Sequence, residues 1–503
     1  MGGRNKISAM AAACAVLGLA AAAAPGAARA AGAAPAAGAA AVGAPVVALP
    51  APGIVGPGTF FPAGRTSSSS PTAPTAPTAP TAPTAPTAPA PPTSAECLAR
   101  LGIPCYSPVQ VERAYDLPPL YARGLTGRGR TIVIVDPYQS PTLRHDLNVF
   151  DTAFGIAAPP SLRIAAPLGP VPPFNPGNPS MVAAAGEITG DVELAHEIAP
   201  GANIVLVEVA LTATTADGEL AQAMTAENDV INRGVGDVFS QSFGLPEPDI
   251  GSPAAVEALR FAYQNAYRHH VTMLAASGDS GASGPTLTGT SFDRRIVYWP
   301  ASDPLVTGVG GTELHLAASG RRTSPDTVWN DNADPVVQKL AGPEYLWAGG
   351  GGLSAVFGRP WYQDPVRGIT GQQRGVPDVA MSASLSGAVL LYESFTGAPG
   401  AWGPGGGTSA ASPLFAGVVA IADQYAHARL GLINPALYAL ERQHAPGLVD
   451  VTQGNNTVSF TANGTTVTVD GFPALRGYDL ASGVGTVDAA RLVAELARAA
   501  LRR

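Results

Sequence analysis

Acidic residues are missing from the N-terminal stretch of this 503-residue chain, since none of its 37 aspartates and glutamates comes before Glu96. Of its 29 basic residues, Arg4, Lys6, Arg29 and Arg65 lie in that stretch; the remaining 25 face all 37 acids, a formal charge of −12. A surface of that sign argues against nucleic acid or an anionic membrane as partner. Cysteine is scarce too, with three in the chain. No Cys-x-x-Cys pair or Cys/His cluster is present, which argues against a zinc site. Beyond the extreme N-terminus no uninterrupted apolar run is long enough to span a bilayer. Lysine is nearly absent and arginine carries the positive charge, from which no function follows.

What is present begins with a leader. Arg4 and Lys6 precede an alanine-rich apolar stretch, and Ala28-Arg29-Ala30 is a small-x-small cleavage site, so residues 1–30 read as a secretory signal. The stretch is rich in alanine and poor in leucine and isoleucine, which favours a signal over a membrane anchor. The expected product is secreted and soluble. Cys14 leaves with the leader, and Cys97 and Cys105 then suggest one local disulfide, with free thiols as the alternative.

Residues 31–95 are rich in alanine, proline and glycine and end in a Pro-Thr-Ala repeat from Pro71 to Pro89. Proline at every third position favours an extended polyproline II rod, and the segment lacks the apolar variety to bury a core. It reads as a spacer whose threonines are candidates for sugar attachment.

Residues 96–503 suit one elaborated α/β domain. Short β-branched runs, Thr131–Val135, Ile204–Val209, Val238–Ser242 and Val271–Ala275, predict buried parallel strands. Helical patterns alternate with them at Asp191–Ile198, Glu219–Asn232 and Ala254–Tyr267. The expectation is a parallel sheet flanked by helices, with ligands at the carboxyl ends of its strands. Glycine is densest where such loops belong: Ser277–Gly281, Gly349–Gly352 and Gly405–Gly407.

Gly405-Gly-Gly-Thr-Ser409-Ala-Ala-Ser-Pro413 precedes an apolar helical run, Leu414–Ala426. Proline is tolerated in a first helical turn, so Ser409 is expected at a helix N-terminus, where free backbone N–H groups could hold an oxyanion. Gly-Thr-Ser alone reads as a glycine-rich turn with a serine cap. Glu187 and Asp191 stand four apart and share a helix face. Two such carboxylates form either a solvated acidic face or, if buried, a proton-sharing acid/base pair. An apolar strand follows Ile198-Ala-Pro-Gly-Ala202, which points the pair inward.

The Gly-Thr-Ser-x-x-x-Pro segment resembles the subtilisin-like superfamily of serine peptidases. None of the seven histidines has the His-Gly-Thr setting of a subtilisin base, and His196 reads as a helix residue near the sheet. Glu187-x-x-x-Asp191 followed by Ala-Pro-x-Ala, together with Ser277-Gly-Asp279, instead resembles the sedolisin family of serine-carboxyl peptidases. Gly129–Asp136, Ser240–Gly244, Val309–Thr312 and Val376–Asp378 agree with it. The resemblance implies Ser409 as nucleophile, Glu187 as general base, Asp191 orienting it and Asp279 in the oxyanion hole. It also implies hydrolysis of proteins or peptides at acidic pH, by a monomer.

Asp450-Val-Thr-x-Gly454 and Leu475-Arg-Gly477-Tyr-Asp479 resemble the family's C-terminal calcium site. By that match Asp450 and Asp479 supply carboxylates to one structural Ca²⁺, while Val451, Leu475 and Gly477 supply carbonyls. The chain departs from the family at Gly190, Leu475 and in residues 31–95, which cannot form a folded pro-segment. Two other readings stay open: a catalytically silent exported binding protein on the same fold, and a neutral subtilisin-type peptidase using an unrecognised histidine.

Overall fold

The computed structural model describes residues 88–213, 215–342, 346–397 and 400–502. The expected leader and most of the Pro-Thr-Ala repeat lie outside the described residues. The first helix among the described residues, α1 (Ser94–Leu101), starts two residues before the anticipated boundary, capped by the Thr93 side chain.

The centre is an eight-stranded sheet built from β1 (Thr131–Pro137), β2 (Leu162–Ala165), β3 (Asn203–Val209), β4 (Val238–Gln241), β5 (Thr272–Ala276), β6 (Thr307–Glu313), β7 (Thr327–Val328) and β8 (Val379–Ser382). Their spatial order is β7-β6-β5-β4-β1-β3-β2, and β8 also pairs with β6. Every pairing is parallel except β7 with β6. Strand side chains alternate between two apolar cores. Ile132, Ile134, Ile204 and Leu206 enter one. Val133, Val135, Val205 and Val207 enter the other. Burial on both faces is why these runs read as continuous hydrophobic stretches.

Helices α2 (Leu143–Phe154), α3 (Pro179–Ile198), α4 (Ala216–Asn232) and α5 (Thr408–Ala426) matter most for the site. Residues of α3 and α5 fill the first core, and residues of α4 the second. A Cβ on Gly417 of α5 would stand 2.5 Å from Ile198 Cβ, so this glycine lets α5 and α3 cross in close contact. The helix expected over Ala254–Tyr267 is two, Pro253–Leu259 and Phe261–Arg268. Between them Arg260 donates from Nε to Asp303 Oδ2 at 2.6 Å and from Nη2 to Oδ1 at 3.1 Å. Strands β9 (Ala388–Glu393) and β10 (Ala401–Gly405) form an antiparallel ribbon leading into α5. Cys97 and Cys105 are joined by a disulfide, with Cα atoms 5.8 Å apart.

Candidate active site

Helix α5 begins at Thr408, directly after Gly407, whose φ of +102° an L side chain rarely adopts. Ser409 is therefore in its first turn. Its Oγ is buried and has no hydrogen-bond partner among the described residues. Pro413 is not in that first turn, as the sequence suggested, but inside the helix. It has no N–H for the carbonyl four residues back, which is that of Ser409. Ser242 Oγ lies 3.3 Å from that carbonyl oxygen.

The loop after β5 carries Asp279. Gly278 stands at φ +109°, and a Cβ there would lie 2.6 Å from the Tyr298 ring. Asp279 Oδ1 accepts from the Thr408 N–H at 2.7 Å and from Thr408 Oγ1 at 2.6 Å. Thr408 Oγ1 accepts in turn from the Gly278 N–H at 3.0 Å. Asp279 Oδ2 is buried with no partner among the described residues. Burial pushes this carboxyl up to about 7, although both Thr408 contacts pull it down. Below that pH it carries a proton on a side chain locked beside the Ser409 backbone. The Gly349–Gly351 run packs against this loop: Gly350 donates to Gly278 O at 2.7 Å, and a Cβ on it would stand 2.2 Å from Ser277 O.

Glu187 and Asp191 lie on α3, and both are buried. The helix runs unbroken through Gly190. Asp191 Oδ2 accepts from Ser242 Oγ at 2.6 Å. A third carboxyl, absent from the sequence reading of the site, completes this group. Asp136, at the end of β1, is buried, and neither of its oxygens has a hydrogen-bond partner among the described residues. Burial first, then the charge of Glu187, holds Asp136 well above the usual carboxylate range. Burial first, then the charge of Asp136, does the same to Asp191, against the opposing pull of Ser242. Asp136, which feels the charge of Glu187 and itself raises Asp191, is thus an addition to the expected pair. Its signal in the sequence is a lone acid closing an apolar β-branched run, at a strand's carboxyl end.

His196 lies nine residues beyond Glu187 on the same helix and faces elsewhere. Its Nε2 is 3.0 Å from Ala157 O and 3.3 Å from Asp151 Oδ1. It is not positioned as a base for Ser409.

The C-terminal residues expected to hold calcium meet at one turn. Asp450 Oδ2 accepts from the Gly477 N–H at 3.0 Å. Asp479 Oδ2 accepts from the Leu475 N–H at 2.9 Å, and its Oδ1 from the Ala481 and Ser482 N–H groups. Val451 is buried against Val328 and Ala481. No group of three or more His, Cys, Asp or Glu side chains among the described residues could hold a metal. The expected donors, two carboxylates plus backbone carbonyls, would form an oxygen-only set suited to a hard cation such as Ca²⁺ rather than a softer metal.

Residues 180–445 match the subtilase family, a span that holds Glu187, Asp191, Asp279 and Ser409. The chain is 32% identical over 402 residues to kumamolisin of Bacillus sp. (strain MN-32), covering 78% of this chain and 63% of that protein. It is 31% identical over 271 residues to sedolisin of Pseudomonas sp. (strain 101), covering 54% and 42%. The chain thus spans less than two thirds of the length of these relatives. Among solved structures, Pseudomonas sedolisin, a serine-carboxyl proteinase complexed with two molecules of pseudo-iodotyrostatin, matches with a TM-score of 0.64 at 26% identity. That match covers 78% of this chain and 98% of that one. The chain belongs to the subtilase family, and kumamolisin and sedolisin are among the proteins it resembles.

Proposed function

We propose that this protein is an exported serine-carboxyl peptidase that hydrolyses peptide bonds in protein or peptide substrates, most actively in acid. The observation that carries the reading is the unpartnered, buried Oδ2 of Asp279, on a side chain fixed to the residue preceding Ser409. The printed description of Pseudomonas sedolisin as a serine-carboxyl proteinase supports the same class.

In this mechanism Ser409 Oγ attacks the carbonyl carbon of the scissile bond while Glu187 takes the hydroxyl proton. Glu187 then returns that proton to the leaving amine. The oxygen that becomes negative accepts from the Ser409 N–H and from the protonated Asp279 carboxyl. The base role requires Glu187 ionised, and burial holds its neighbours Asp136 and Asp191 well above the usual carboxylate range. Raising the pH through about 7 ionises Asp279, which removes a donor and puts a charge beside the oxyanion, so activity falls toward alkaline pH.

A structural Ca²⁺ held by Asp450 and Asp479 with the carbonyls of Val451, Leu475 and Gly477 belongs to the same proposal. Bound there, it would tie the 475–479 turn to the segment at Asp450, away from the chemistry.

Cleavage of an internally quenched peptide, followed across pH with Ser409→Ala alongside, tests the reading. Turnover that Ser409→Ala abolishes supports it; turnover that survives the substitution overturns it.

A further inference from the structure

Residues 88–93 lead into α1 without forming helix or strand, yet they lie on the domain in a regular way. Ala88 and Pro89 are half-buried and Ala90 is exposed; Pro91 and Pro92 are half-buried and Thr93 is exposed. Two inward residues and one outward, repeated, is the three-residue period of polyproline II. Thr93, at φ −79° and ψ 161°, has that backbone conformation.

The surface beneath is aromatic. The Trp402 ring packs edge-on against Phe154 at 5.3 Å between centroids, with Tyr392 at 5.1 Å and Phe150 at 6.2 Å. Ala88 packs on this cluster, and the Trp402 indole N–H donates to Pro89 O at 2.7 Å. Cys97 and Cys105 belong to the same cluster, so their disulfide fixes α1 immediately after the docked segment. A polyproline II strand makes no internal hydrogen bonds and leaves its carbonyls open. Aromatic grooves read such strands in general.

The phase of the repeat agrees. Counting back by threes from Ala90 lands on Thr87, Thr84, Thr81, Thr78, Thr75 and Thr72, and the two residues after each of these threonines are Ala and Pro. The Ala-Pro pair that faces inward at residues 88–89 recurs in the sequence of every repeat unit.

We propose that Trp402, Phe150, Phe154 and Tyr392 form a docking groove for Ala-Pro units in polyproline II conformation, and that the chain's own Pro-Thr-Ala repeat is the occupant. The groove recognises the unit rather than one position, so a free peptide of the same repeat enters it whenever the tethered segment is out of phase.

The test is exchange of the Trp402 indole proton in the full chain, with Trp402→Phe assigning it among the five tryptophans. Deleting Ala88 and Pro89 puts Thr87 on the inward line and is expected to speed exchange by about tenfold, the scale of one lost hydrogen bond. Deleting Thr87, Ala88 and Pro89 keeps the phase and leaves exchange unchanged. Ala88→Glu speeds exchange, whereas Ala90→Glu, on the outward line, does not. Adding the peptide (Pro-Thr-Ala)₄ to the two-residue deletion restores protection. Equal exchange after the two- and three-residue deletions, equal effects of Ala88→Glu and Ala90→Glu, or no rescue by the peptide would each overturn the proposal.

Discussion

Ser242 stands against Asp191, its Oγ 2.6 Å from Asp191 Oδ2, and the same hydroxyl is 3.3 Å from the carbonyl oxygen of Ser409. A hydroxyl has one proton and cannot donate to both acceptors. The Ser242 proton goes to Asp191 at the shorter distance, and the carbonyl that Pro413 leaves open in α5 lies beside the same hydroxyl. That side chain links α3 to the first turn of α5, in addition to their direct packing at Ile198 and Gly417.

Ser242→Ala is therefore expected to lower kcat by about tenfold, the worth of one such bond, with KM little changed. Ser242→Thr keeps the hydroxyl and should recover most of the rate. A fall in KM-dependent binding alone, or no rescue by threonine, would contradict this positioning role.

In the proposed mechanism Asp279 sets the alkaline limit. Its carboxyl titrates at about 7, so it donates below that pH and becomes a repelling carboxylate above it. Asp279→Asn donates at every pH, and its rate profile should lose the alkaline fall near neutrality. Asp279→Ala removes the donor and should cost on the order of 10²–10³ in kcat. An unchanged alkaline limb in Asp279→Asn would assign that limb to another group.

Much of the site and its surroundings was legible in the sequence because it is local. Ser409 follows glycine at a helix start, and Glu187 and Asp191 share one helix face. Asp136 was not, because its place beside α3 comes from the β1–β3 pairing across many intervening residues. Pro413 misled for a related reason: tolerance of proline was expected in the first turn, while a hydroxyl from the β4 end lies against the open carbonyl. The split at Arg260 likewise accompanies a bidentate contact with Asp303, 43 residues away. The sheet itself was legible, since strands buried on both faces advertise themselves as β-branched runs.

Stability should fall as pH rises. Burial first of all holds Glu193, Glu197, Glu227 and Glu393 well above the usual carboxylate range, as it does Asp136 and Asp191. A carboxyl whose folded pKa is raised stabilises the fold fully below its unfolded pKa of about 4 and loses that contribution as pH climbs through the folded value. Thermal unfolding should give a higher Tm near pH 4 than near pH 7. A flat or rising trend would contradict the burial of neutral acids.

Arg374 and Asp378 form a buried ion pair, with Nη1 to Oδ1 at 2.8 Å. Asp378 also accepts from the Gly308 N–H and the Tyr438 hydroxyl. Asp378→Asn leaves a buried guanidinium uncompensated and should cost about 3–5 kcal/mol in denaturant unfolding. A loss under about 1 kcal/mol would mean that water replaces the partner.

Removal of Ca²⁺ with a chelator should lower Tm by a few degrees, restored by adding calcium back, since an ion bound only by the folded state stabilises it. The double substitution Asp450→Asn, Asp479→Asn should make Tm insensitive to calcium. A response that persists in the double variant would place the ion elsewhere.

The most direct measurement of the central claim is kcat/KM against pH for the native protein and Glu187→Gln. The account expects a maximum in acid, decline through about pH 7 as Asp279 ionises, and loss of turnover in Glu187→Gln at every pH. Native turnover that rises toward pH 8 and survives Glu187→Gln would contradict it.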